Sequence, residues 1–381
     1  MNIAPALLED WLREYYFAVD HDLGSSGVEN FSWRDLRRLT GLADSDLDVV
    51  MFNDSHTMGA PSLRQAVADR WAGGDAARVM VTHGSSEAMY LAIRAIVQPG
   101  DEVVALTPCY QPLSAIAEGA GANMKRWRLR AERQYEPDLD EFRALVTDRT
   151  RLVILNFPHN PTGATLTAAQ LSYVLDIVSA RGAYLLWDAA FAEMTLDGDP
   201  LPDPSATYDR CVTLGTLSKT YGLPGLRVGW CIGAPALLDQ CMRWRDYITL
   251  HLSPLVEMVA ERAIRQASVL LAQRVPQVRT NLRLVADWVD ANRHAVSWVR
   301  PHGGVSSFVR LAMPDVTAFC RELAVTQRVL LCPGVCFGDR TRVRLGFGSS
   351  TASVEEGLAR IGTLLNAATA SAAAVRIDVP R

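Results

Sequence analysis

Between residues 78 and 232 short apolar runs alternate with stretches of helical spacing, and this alternation constrains the fold more than any other feature. Residues 79–82, 102–106, 151–157, 183–187, 211–214 and 228–232 read as strands. Helices are expected from Gly84 to about Val97, after Pro108-Cys-Tyr110, and from a Thr167 cap to about Gly182. Nearly continuous apolar strands separated by helices specify an α/β fold with a mainly parallel sheet covered on both faces. Ligands bind such sheets beyond the carboxyl ends of the strands. Ser85, Tyr110, Asn160 and Asp188 each fall just after a strand, so they are expected to share one site.

The flanking regions read differently. Residues 7–17 have amphipathic helical spacing, 22–30 form a loop rich in glycine and hydroxyls, 52–59 are polar and irregular, and 61–71 return to helical spacing. After Ser253, helices at 253–273 and 275–292 lead into a smaller α+β unit. Its strands are expected near 296–299, 305–311, 328–331 and 342–347, and its helices near 315–326 and 352–370. The expected organisation is an N-terminal arm with a substrate-covering loop (1–45), a large domain (46–255) and a small C-terminal domain (256–381). A chain of 381 residues, 49% hydrophobic, can bury a sizeable core, and a formal charge of −4 argues against nucleic acid as a partner. Seven cysteines without a Cys-x-x-Cys pair, and Cys332 and Cys336 without clustered histidines, read as reduced thiols rather than a metal site. Residues 1–20 have no basic leader and no long apolar run, so a cytoplasmic protein that engages no membrane is expected.

The chemistry centres on Thr216-Leu-Ser-Lys-Thr-Tyr-Gly-Leu-Pro-Gly-Leu-Arg-Val-Gly229. Lys219 is one of two lysines in the chain, the other being Lys125; every other basic side chain apart from histidine is arginine. Arginine replaces lysine as a surface charge but does not deprotonate to become a nucleophile. Thr216 and Ser218 supply hydroxyls and Arg227 a cationic fork, a set suited to phosphate. An amine nucleophile beside a phosphate site points to pyridoxal 5'-phosphate (PLP) held as a Schiff base.

The other strand ends extend this pattern. Ser85 and Ser86 open a helix, where hydroxyls, free N–H groups and the helix dipole attract an anion; an ordinary N-cap uses the same residues. Tyr110 offers a ring to stack on a flat cofactor. Pro161 restricts Asn160 to an extended conformation, which suits an amide aimed into a cleft. Asp188 ends an apolar strand, so its carboxylate needs a cation such as a pyridinium nitrogen.

Asn160-Pro-Thr-Gly163, a strand-end Asp188, then Ser218-Lys219 with Arg227 eight residues on resemble the class I/II aminotransferases of PLP fold type I. The likeness extends to Pro333-Gly-Val-Cys-Phe-Gly338 and Val343-Arg-Leu-Gly-Phe347. It implies that Lys219 carries the Schiff base, Asp188 pairs with the pyridine nitrogen, Asn160 meets the phenolic oxygen and Tyr110 stacks on the ring. Ser85, Ser86, Thr216, Ser218 and Arg227 would hold the phosphate, Arg344 the substrate carboxylate, and the protein would be a homodimer. Two departures stand out. Phe191 replaces a tyrosine that donates to the phenolic oxygen in many members, so the Schiff base is expected to keep its proton at neutral pH. Asp54 stands where many members have tyrosine and suits a cationic substrate.

Glu9-Asp-Trp-Leu-Arg-Glu-Tyr-Tyr-Phe17, Ser25-Ser-Gly-Val-Glu-Asn30, Thr82-His-Gly-Ser-Ser-Glu87 and the Lys219 stretch resemble one branch, the capreomycidine synthases of peptide-antibiotic biosynthesis. That resemblance implies cyclisation of 3-hydroxy-L-arginine rather than transamination. Ser26 and Gly27 would belong to the loop over the substrate, and Asn160 and Arg344 would contact it. Asp54, with Glu9, Asp10 and Glu29 as alternatives, would meet the guanidinium. An aminotransferase acting on arginine remains the alternative. A PLP-binding regulator would need a DNA-binding segment that the chain lacks, and a nicotinamide dehydrogenase would need a strand-following Gly-x-Gly-x-x-Gly.

Overall fold

The computed structural model describes residues 3–377, with side chains through residue 367. A seven-stranded sheet forms its centre. Its order is Val79–Thr82, Gly229–Gly233, Cys211–Thr216, Tyr184–Asp188, Thr150–Asn156, Glu102–Thr107 and Asn123–Arg128. Gly229–Gly233 runs antiparallel to both its neighbours, and the remaining pairings are parallel. Val79–Thr82 is buried at every position, as its continuous apolar run requires of a strand covered on both faces.

Helix Gly84–Ile96 follows the first strand and helix Pro112–Gly119 the Glu102–Thr107 strand. Thr167 caps helix Ala168–Ala180 with a reciprocal capping box to Gln170. The Asn123–Arg128 strand was not anticipated. Its Asn-Met-Lys-Arg-Trp-Arg sequence lacks an apolar run because it lies at the sheet edge, where only Trp127 is buried and basic side chains deter further pairing. Lys125 there pairs with Glu102 at 2.7 Å. Helices Trp33–Thr40, Leu139–Leu145 and Pro235–Arg245 were also missed in the sequence.

The two helices beyond Ser253 are Pro254–Arg265 and Ala267–Ala291. The break falls at Gln266, not near residue 274, and Pro276 lies inside the second helix. An internal proline costs about 3 kcal/mol. Burial of Leu270, Val278, Leu282, Val285 and Val289 on one face offsets that cost.

A four-stranded antiparallel sheet follows, in the order Cys332–Pro333, Arg342–Gly346, Ser306–Leu311, Val296–Ser297. The strand expected over 328–331 forms only at Val329–Leu330. Val329–Leu330 pairs in parallel with His21–Asp22, while Cys332–Pro333 joins the sheet. This short pairing fastens the N-terminal segment to the C-terminal third. One apolar cluster runs from Leu8 and Trp11 of helix Leu7–Tyr15, through Phe157 and Trp187, to Phe308 and Phe347. No helix among the described residues is long and apolar enough to cross a membrane.

Candidate active site

The carboxyl ends of the parallel strands converge on a cavity of about 520 Å³. Ser85, Ser86, Tyr110, Asn160, Asp188, Ser218, Lys219, Arg227, Arg344 and Ser26 all line it. Residues scattered over more than 300 positions are thereby brought together, most by a strand or helix end and Arg344 from within strand Arg342–Gly346.

Helix Gly84–Ile96 presents Ser85 and Ser86 at its amino terminus, facing the Arg227 turn. Arg227 adopts a left-handed conformation, and its Nη1 donates to Ser218 Oγ (3.4 Å) and to the Pro224 carbonyl (3.1 Å). The approach is too close for side chains at two glycines. A Cβ on Gly84 would lie 2.8 Å from Arg227 Nη2, and one on Gly229 would lie 2.5 Å from Ser85 N. Two hydroxyls, a helix N-terminus and a guanidinium in this cradle suit a phosphate dianion.

Asp188 is fully buried within the site, and its Oδ1 accepts from the Ala190 N–H at 3.1 Å. Burial raises its pKa to about 6, against the opposing effects of the Ala190 bond and the Lys219 charge. Such a carboxylate favours a nearby cation. Lys219 is shifted the other way, to about 8, first by burial and then by the Arg344 and Arg227 charges. A buried carboxylate, a low-pKa amine, a phosphate cradle and the Tyr110 ring in one cavity fit PLP. Each supplies what one part of that cofactor needs.

Asn156 ties the strand ends together. Its Nδ2 donates to the Asp188 carbonyl and its Oδ1 accepts from the Asn160 N–H, both at 2.9 Å. Sequence reading did not assign Asn156 a role, although a polar residue ending an otherwise apolar strand was the available signal. Arg344 is buried; its Nε and Nη2 donate to the Gly24 carbonyl (2.9 and 2.7 Å) and its Nη1 to Asn160 Oδ1 (3.3 Å).

The 22–31 loop lies across this assembly. Val28 N donates to the Lys219 carbonyl (3.0 Å), Glu29 N to Gly348 (2.7 Å) and Phe31 N to Gly222 (3.0 Å). Ser26 faces the inner cavity, and Gly27 an adjoining outer cavity of about 620 Å³. The candidate Glu9 lines the inner cavity, as do Leu8 and Leu12 of the same helix, whose amphipathic spacing did not reveal that contribution.

Two expected residues stand elsewhere. Thr216 does not line the cavity; its hydroxyl contacts Ser218 Oγ (3.0 Å) and the Val228 carbonyl (3.1 Å) and accepts from Ser218 N (3.1 Å), so it positions Ser218. Asp54 is fully exposed and meets His251 Nε2 at 3.2 Å. The chain that follows it is fastened by the bond from Ala60 N to Glu257 (2.8 Å) and by Arg245 on the Thr57 carbonyl.

Comparison with known proteins agrees with this geometry. The chain is 48% identical over 359 residues to a capreomycidine synthase of Streptomyces vinaceus, covering 93% of this chain and 92% of that protein. It is 28% identical to an arginine–pyruvate transaminase of Pseudomonas aeruginosa, over 84% of this chain and 85% of that one. The solved structure of the PLP-dependent cyclase OrfR superposes with a TM-score of 0.92 at 42% identity, covering 96% of this chain and 98% of that one. The model of the aminotransferase class I and II family matches residues 50–361, and the chain belongs to that family.

Proposed function

We propose that the protein is a PLP-dependent cyclase that converts 3-hydroxy-L-arginine to L-capreomycidine. The observation that carries this reading is the 48% identity, over nearly the whole chain, to a capreomycidine synthase. In the net reaction the Cα proton and β-hydroxyl leave as water, a terminal guanidine nitrogen bonds to Cβ as it gives up a proton, and Cα regains one. No oxidant or keto acid enters the balance.

Ser85, Ser86, Ser218 and Arg227 would hold the cofactor phosphate, with Thr216 fixing Ser218. Tyr110 would stack on the ring, Asn160 would bond its phenolic oxygen and Asp188 would pair with its nitrogen. When bound, PLP supplies an electron sink for negative charge developing at Cα. Lys219 Nζ takes the Cα proton and later returns one; its lowered pKa suits both directions near neutral pH. Arg344 binds the α-carboxylate through its fork. Ser26 and Gly27 belong to the loop that closes over the substrate and excludes water. The loop's bonds to Lys219 and Gly348 support that role.

A homodimer acting in the cytoplasm completes the reading. Val49, Met51 and Phe52, with Tyr247, Ile248 and Leu250, form an exposed apolar surface of the kind that a second copy covers. The Asp54–His251 contact joins the two segments, so Asp54 would approach a reaction site only across such an interface. The seven cysteines are free, as a reducing compartment requires.

The test is mass spectrometry of the PLP-loaded enzyme with 3-hydroxy-L-arginine and no keto acid. The expected product has lost one water and kept its amine. An arginine transaminase is the second reading, favoured by the Pseudomonas relative. Turnover only after a 2-oxo acid is added, with amino transfer to it, would establish that reading instead.

A further inference from the structure

The first helix brings a carboxylate into the site. Glu9 lines both the inner cavity that holds Lys219 and the adjoining outer cavity, and among the described residues it is the one carboxylate common to both. The other carboxylates considered for a guanidinium are already engaged. Asp10 pairs with Arg13, Glu29 with Arg274 (3.0 Å) and Asp54 with His251 (3.2 Å). Glu9 Oε1 instead accepts a 2.9 Å hydrogen bond from the Tyr110 hydroxyl. Burial and the adjacent Glu9 charge push the Tyr110 pKa well up, so the phenol stays a neutral donor. This carboxylate, partnered by a neutral phenol, has no cation in a salt bridge with it among the described residues and faces the cavity.

Arg344 supplies the opposite charge in the same cavity, and Lys219 senses both: Arg344 lowers its pKa and Glu9 raises it. Cyclisation has a matching requirement. The guanidine nitrogen must lie close to Cβ, so the cationic and anionic ends of the substrate must both be held near the lysine that works at Cα. An extended substrate would meet neither condition.

On the cyclase reading above, we propose that Glu9 is the specificity-determining residue of this site. It takes the guanidinium of the substrate opposite Arg344 at the carboxylate, so that the substrate folds back across Lys219. Tyr110 orients the Glu9 carboxylate through its hydroxyl.

The experiment is calorimetric binding of two ligands that lack a β-hydroxyl, L-arginine and its neutral isostere L-citrulline, to the PLP-loaded holoenzyme. Wild-type protein is expected to prefer L-arginine by about tenfold to a hundredfold, the range of a hydrogen bond to a charged group. Glu9→Gln should abolish that preference by weakening L-arginine binding more than L-citrulline binding, while Tyr110→Phe should retain it. Glu9→Ser makes the same comparison if the glutamine variant does not fold. An L-arginine preference that persists in the Glu9 variants, or is absent from wild type, overturns the assignment. Cyclisation of 3-hydroxy-L-arginine is measured separately. A Glu9-dependent preference without cyclisation would sink the cyclase reading alone, and cyclisation with a Glu9-independent preference would sink this one alone.

Discussion

Asn156 and Asp188 end adjacent parallel strands, and the Asn156 amide bonds the Asp188 carbonyl while its oxygen holds the Asn160 N–H. One buried side chain thus sets the relative position of two groups proposed to face the cofactor. Asn156→Ala would leave a carbonyl and an N–H without these partners in a buried setting, which costs about 1–3 kcal/mol for each group left unsatisfied. A lower denaturant midpoint together with weaker PLP retention is expected. A variant with unchanged midpoint and unchanged PLP affinity would remove Asn156 from the architecture of the site.

Asp188 should make the cofactor-free protein less stable as pH rises, the reverse of the usual carboxylate effect. Its folded pKa is raised from 3.8 to about 6, so the folded state binds the proton more tightly than the unfolded chain. Stability is therefore fully present below the unfolded value and falls as pH rises through about 6, by up to about 3 kcal/mol. Asp188→Asn cannot ionise. It should unfold at higher denaturant than the parent at pH 7.5, with the gap closing toward pH 4; a gap that ignores pH would show that the buried carboxylate is not the cause.

Phe191 is buried and lines the cavity, where it has no hydroxyl to donate to a cofactor oxygen. The Schiff base at Lys219 should therefore retain its proton at neutral pH. Phe191→Tyr should move deprotonation down by about one to two pH units, from a hydrogen bond to a charged group at about 1.4 kcal/mol per unit. Visible absorbance titration reads this directly, and a wild-type transition well below pH 7 would contradict it.

Gly348 fits beneath the substrate loop because it has no side chain; a Cβ there would collide with the Gly27 carbonyl. Gly348→Ala should displace the loop, with an overpacking cost of about 1–3 kcal/mol. Steady-state kinetics should show a rise in KM larger than any fall in kcat. Equal changes in both would indicate that the loop serves the chemical step rather than substrate retention.

The alternation of apolar runs and helices was enough to read the parallel sheet and to put Ser85, Tyr110, Asn160 and Asp188 at one edge of it. Strand periodicity and burial are local consequences of side-chain type, so the large sheet was legible apart from its polar edge strand, Asn123–Arg128. Lys219 was legible for a different reason: amine chemistry cannot be supplied by the arginines that carry most other basic charge. Helix continuation through Pro276 was not legible, because distant packing overrode a local penalty. Nor was the pairing of Val329–Leu330 with His21–Asp22 rather than with the four-stranded sheet.

Residue type and spacing along the chain determined the fold class, the amine-and-phosphate chemistry and the strand-end residues of the cavity, while Arg344, Ser26 and Glu9 entered through the family resemblance. Only the tertiary structure separated the acidic candidates. It left Asp54 exposed beside His251, engaged Asp10 and Glu29 with arginines, and set Glu9 against Tyr110 in the cavity wall. Which carboxylate keeps its charge free depends on neighbours that come close only when distant segments pack, and no local pattern encodes those distances.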